Sequence, residues 1–182
     1  MDNVEENLLS SHDYWLNIHC EIVHTFTNRS FALTAIYGSN NEEERLTLWQ
    51  FLITKANTAL PWLTVGDFNH LLHTDDRIGG TCDTPGYERL SRLFPTVGIQ
   101  DIAWKSCRYT WTNKQDCGQR IFLRNDGIMA NGQWLAELPK SKVIFHPDDT
   151  SYHYPRVLRF FEMQEQGRKT FRFFFDMWTT NL

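Results

Sequence analysis

The chain has 182 residues, 41% hydrophobic and 14% aromatic, with a formal net charge of −4. This suits one domain around one sizeable core and excludes a disordered chain. No apolar run approaches the roughly 18 residues of a membrane helix, so a soluble protein with no membrane partner is expected. Four cysteines, Cys20, Cys82, Cys107 and Cys117, lack CxxC spacing, and the N-terminus has no basic-then-apolar signal segment. An intracellular, reducing compartment follows as an expectation.

Residues 1–13 are polar and acidic and are expected to form a disordered tail before a domain over 14–182. Ile18, Cys20 and Ile22 alternate with His19 and Glu21, which predicts a half-buried strand to about residue 27. A tight turn at Asn28-Arg29-Ser30 and a second strand over 31–37 complete a hairpin. Ser39-Asn40-Asn41 then caps a helix whose first turn carries Glu42, Glu43 and Glu44, favourable at the positive end of the helix dipole. Leu46, Trp49, Leu52, Ile53 and Ala56 recur at helical spacing and should face a sheet. A short apolar strand follows, so the order strand, helix, strand argues for an α/β architecture.

That strand runs into Gly66-Asp67-Phe68-Asn69. Two residues apart on extended backbone, an acid and an amide point to the same side, where one can take a proton from water while the other donates to a phosphate oxygen. The plainer alternative is a turn with an Asx-type hydrogen bond. Thr84-Pro85 opens a second helix with Tyr87, Leu90, Leu93 and Phe94 on one face, distorted or ended by Pro95 before Gly98. Short strands are predicted at 108–112, 119–123, 141–145, 156–161 and 170–175. The apolar stretch from Phe171 to Trp178 either docks as a strand or is an aggregation hazard.

Seven blocks occur in order: Ala35 to Asn40, Trp62 to Asn69, Arg77 to Gly80, Gly98 to Ile102, Tyr109 to Asn113, Asp126 to Trp134 and Ser151 to Pro155. Together they resemble the endonuclease/exonuclease/phosphatase superfamily, most closely the apurinic-type endonuclease domain of plant LINE retrotransposons, over about residues 14–180. The resemblance implies a four-layer α/β sandwich, two facing sheets flanked by helices, that hydrolyses phosphoester bonds with Mg²⁺. It implies Asp67 as the water-activating base and Asn69 as the amide supporting the transition state, both near the metal. Tyr37 matches the tyrosine on the phosphate, His153 the catalytic histidine and Asp126 the aspartate that orients it. DNA is the implied substrate, and the compartment is nuclear if the chain derives from a retrotransposon, otherwise cytoplasmic.

The sequence departs from the pattern. The family's Ser-Asp-His reads Ser151-Tyr152-His153 here, and a phenol cannot replace the charge of a metal-site aspartate. The family's upstream Asn and metal-binding Glu have no counterpart, and Glu5, Glu6 and Glu21 are poor substitutes. The chain therefore reads as truncated at the N-terminus, with weak or absent Mg²⁺ binding and little hydrolysis. An uncovered sheet edge would then invite self-association.

Residues 1–102 are net acidic and 103–182 net basic, an arrangement suited to setting metal-binding acids opposite phosphate-binding bases. The alternative function is a non-catalytic relic that binds nucleic acid through its basic C-terminal half, with Lys105, Arg108, Lys114, Arg120 and Arg124 interleaved with Trp104, Tyr109 and Trp111. A zinc site from His70, His73 and Cys82 is the least favoured reading, because that spacing lacks a second ligand pair.

Overall fold

The computed structural model describes residues 4–5, 16–24, 28–71, 73–80, 84–105, 107–116, 118–146 and 151–160. β1 (Val4–Glu5) lies in the segment expected as a tail and pairs antiparallel with β2 (Leu16–His24). Asn28, at φ 51°, precedes β3 (Arg29–Tyr37), and the expected hairpin pairs Leu16 with Tyr37 through to His24 with Arg29. α1 (Glu42–Lys55) starts at Asn41, whose side chain accepts from the Glu43 N–H at 2.9 Å. β4 (Trp62–Asp67) then returns parallel to β3.

A 3-10 turn (Thr74–Asp76) and the short β5 (Arg77–Ile78) lead to α2 (Thr84–Val97), which holds Pro95 near its end and stops before Gly98 at φ 74°. The remaining elements are β6 (Ile99–Asp101), β7 (Trp104–Lys105), β8 (Trp111–Thr112), β9 (Phe122–Leu123), β10 (Asp126–Asn131), α3 (Gly132–Glu137), β11 (Lys142–Phe145) and β12 (Arg156–Arg159). Four of the five expected late strands are present but shorter. The fifth, at 170–175, and the apolar block around it lie outside the described residues.

Six strands form the main sheet in the order β1-β2-β3-β4-β10-β6. Two three-stranded sheets accompany it, β12-β11-β7 and β5-β9-β8. The period-two alternation of β3, β4 and β10 splits the core between the two faces of the main sheet. On one face Ala32, Ile36, Trp62 and Met129 meet Leu48, Trp49 and Leu52 of α1 and Phe94 and Val97 of α2. On the other, Leu33, Leu63 and Ala130 meet Trp134 of α3 and Val143 and Phe145 of β11. Helices, large sheet and small sheet are thus stacked layers of an α/β sandwich.

Trp49 and Leu52 of α1 and Ala56 at its C-cap face the core as expected, and Leu46 and Ile53 do not. Leu46 and Ile53 are 39% and 46% exposed, and the buried stripe is Arg45, Leu48, Trp49 and Leu52. Leu48 and a long polar side chain, Arg45, take the core-facing positions instead, and Arg45 donates from Nη1 to the Ser39 carbonyl at 2.7 Å. Among the described residues, β1 covers the outer edge of β2 only beside His19 and Cys20. Ile18 and Val23 on that strand are exposed.

Candidate active site

Strand register assembles the site. Asp67 ends β4 with Tyr37 of β3 as its parallel partner and Asp126 of β10 as its antiparallel partner, so three residues far apart in sequence form one row across the sheet. The row depends on close backbone approach. A Cβ on Gly66, at φ 142°, would lie 1.9 Å from the Ile36 carbonyl oxygen, so only glycine lets β3 and β4 meet there.

The turn after β4 is tied to both neighbours. Gly38 N–H donates to the Asp67 carbonyl at 2.7 Å, and Phe68 N–H donates to the Asn125 carbonyl at 2.9 Å. Asn69, in the left-handed region at φ 49°, donates its backbone N–H to Asp67 Oδ1 at 2.8 Å and its side-chain nitrogen to the Gly38 carbonyl at 2.9 Å. The Asx-type turn weighed from sequence is therefore present within the site itself. The Asn69 amide nitrogen closes the loop onto Gly38 with one of its two hydrogens.

His153 reaches the row from the segment before β12, held by a bridge to Trp111 and by Tyr154 N–H donating to the Thr110 carbonyl at 2.8 Å. Its Nδ1 lies 3.1 Å from Asp126 Oδ2, and its Nε2 lies 3.9 Å from Asp67 Oδ2. Asp126 is buried, and its other oxygen accepts from Arg156 Nη2 at 2.6 Å. The sequence marks Arg156 only as part of a strand. No local signal marks it, because its partner is thirty positions away.

Burial, followed by repulsion from Asp126, pushes the Asp67 carboxyl up to about 7. Burial alone would push Asp126 up as well, but the Arg156 charge and the His153 hydrogen bond outweigh it and hold Asp126 below the ordinary carboxylate value. For His153, burial is opposed by the hydrogen bond and charge of Asp126, and the imidazole ends above its ordinary value. A carboxyl that ionises near neutrality thus faces an imidazole whose cationic form is favoured by Asp126, a proton acceptor beside a proton donor.

The sign of the linked pH effect follows. Between pH 3.8 and about 7 the folded chain keeps a proton on Asp67 that the unfolded chain releases, so stability falls as pH rises through that window and stays lower above it. Asp67→Asn mimics the protonated form. Urea unfolding is expected to show it more stable than wild type at pH 8 by about 2–4 kcal/mol and nearly equal at pH 4. Equal stability at both pH values would refute the raised carboxyl.

Asp67, Asp126 and His153 each offer a ligand atom, all within 4.8 Å of one another, so their spacing is that of a single-ion site. The donors themselves do not suit Mg²⁺, which demands near-octahedral oxygen ligation. Both oxygens of Asp126 already serve Arg156 and His153, one oxygen of Asp67 serves Asn69, and a guanidinium sits 2.6 Å from the shared carboxylate. Tyr152, in the position of the family's aspartate, is 56% exposed, with Lys114 over its ring at 5.6 Å. Glu21 is exposed on β2.

Tyr37 is largely exposed beside a cleft of about 380 Å³ that it lines with Ser39, Asn40, Asn41 and Glu44. The zinc reading gains no support. His70 stacks on Trp49 with centroids 6.4 Å apart, His73 donates its backbone N–H to Asp76 Oδ2 at 3.0 Å, and Cys82 lies outside the described residues. Two of the proposed phosphate-binding arginines are already paired: Arg124, 6% exposed, with Asp101 at 2.6 Å, and the partly exposed Arg108 with buried Asp76 at 3.0 Å. A charge count does not reveal that Asp101 and Asp76 already engage them.

The layered sheets and the row at the end of β4 define an α/β fold of the endonuclease/exonuclease/phosphatase type. Solved structures with this fold include the endonuclease domain of TRAS1, a telomere-specific non-LTR retrotransposon, at TM-score 0.55 and 14% identity, covering 83% of this chain and 64% of that one. Beta toxin of Staphylococcus aureus aligns at TM-score 0.52 and 11% identity, covering 79% and 56%. The catalytic domain of Xenopus laevis APE2 aligns at 0.50 and 18%, covering 77% and 52%. The chain thus spans less than two thirds of each of these structures. No protein-family model and no curated protein matches the sequence. No helix among the described residues is long and apolar enough to cross a membrane.

Proposed function

We propose that this chain is a phosphodiester-hydrolase-type domain directed at DNA, of the kind found in retrotransposon endonucleases, with a strongly attenuated site. Asp67 is the base that activates water, and His153, oriented by Asp126, donates a proton to the leaving oxygen or clamps the phosphate. Tyr37 contacts the phosphate, and Asn69 holds the turn that aims Asp67. The observation that carries the reading is the placement of His153 between Asp126 at 3.1 Å and Asp67 at 3.9 Å. Attenuation rests on Tyr152 and on the occupied oxygens of Asp126.

Incubating pure protein with supercoiled plasmid and Mg²⁺ is expected to give little or no nicking, any trace of it lost in Asp67→Ala and not accelerated by Tyr152→Asp alone. Nicking indifferent to Asp67→Ala would overturn the assignment of the base, and fast nicking would overturn the attenuation. The grip of Arg156 on Asp126 also favours a second reading, a non-catalytic nucleic-acid module. Its mark is binding of a labelled duplex that weakens steeply with salt and produces no nicks. Of the five cations expected to make such contacts, Lys105 and Arg120 are exposed.

A further inference from the structure

We propose that Arg156 is a built-in cation of this site, locked onto Asp126 so that its guanidinium excludes a divalent metal and sets the site's metal response. The inference deepens the proposed function and rests on it for the identity of the site.

Three observations carry it. The Asp126 side chain is 4% exposed and both of its oxygens are engaged, Oδ1 by Arg156 Nη2 at 2.6 Å and Oδ2 by His153 Nδ1 at 3.1 Å. The arginine side chain is itself only 10% exposed, and its backbone stands at the start of β12, fixed in register opposite Phe145. Charge completes the case: the two carboxylates of Asp67 and Asp126 face Arg156 and His153, and Arg45 adds electrostatic support to Asp67 from α1. A divalent ion entering beside Asp126 would meet a fixed positive charge at close range and have no unshared oxygen there to bind.

The test is metal binding, which needs no turnover and so separates failure of this inference from failure of the proposed function. Mn²⁺ is titrated into the purified full chain and followed by calorimetry and by its paramagnetic resonance signal. Wild type is expected to bind no tighter than about 1 mM, and Arg156→Met at least about tenfold tighter, because a carboxylate oxygen is released and a like charge removed. Arg156→Gln keeps a donor for Asp126 without the charge. It is expected to gain Mn²⁺ affinity in the same direction and decides the matter if the methionine variant does not fold. Arg156→Lys keeps the charge and should behave as wild type.

Adding Asp126→Asn to Arg156→Gln should abolish the gain, placing the ion at Asp126. Micromolar Mn²⁺ binding by wild type, or a glutamine variant with no gain over it, would overturn the proposal.

Discussion

Replacing Gly66 by alanine is expected to destabilise the domain by about 3–5 kcal/mol, combining left-handed backbone strain with a steric overlap that no side-chain motion relieves. The obstructing atoms are backbone: the new Cβ would stand 1.9 Å from the Ile36 carbonyl oxygen and 2.8 Å from its carbon. Relief requires β3 and β4 to separate at the point where their register brings Tyr37 beside Asp67. The unfolding midpoint in urea should fall sharply. Any folded remainder should lose the altered titration of Asp67, which depends on burial. An alanine variant within about 1 kcal/mol of wild type would mean that the strands do not approach this closely.

Asp126→Ala is expected to cost a similar amount, about 3–5 kcal/mol, because it strands the guanidinium of Arg156 in a buried position without its partner. The effect extends to His153. Asp126 supplies both the hydrogen bond and the charge that keep the imidazole above its ordinary value, so in this variant burial prevails and its pKa falls. Titration of the His153 ring protons by NMR separates the two consequences, and Asp126→Asn should recover part of the stability while leaving the imidazole low. Unchanged stability together with an unchanged imidazole would show that Asp126 holds neither Arg156 nor His153.

Local and periodic features were legible without coordinates. The hairpin of β2 and β3, the Asn41 cap of α1, the end of α2 before Gly98 and the turn at Asp67 all depend on residues within a few positions of one another. The ordered blocks pointed to the fold type for the same reason, since each is a short local motif. Periodicity failed where a polar side chain took a core-facing position, as with Arg45 on α1, and composition failed where charges pair with one another, as with Arg108 and Arg124 on Asp76 and Asp101.

By itself the sequence determined which residue types stand at the ends of β3, β4 and β10 and that Asp67, Asp126 and His153 belong to one pattern. Tertiary structure alone decided their partners. Register across β4 and β10 sets Asp67 against Asp126, and the approach of β12 brings Arg156 to the same carboxylate. A hydrogen bond or ion pair depends on distances of a few ångströms between side chains that strand pairing brings together from far along the chain. Sequence spacing therefore names the candidates, and packing settles which of them are occupied by one another.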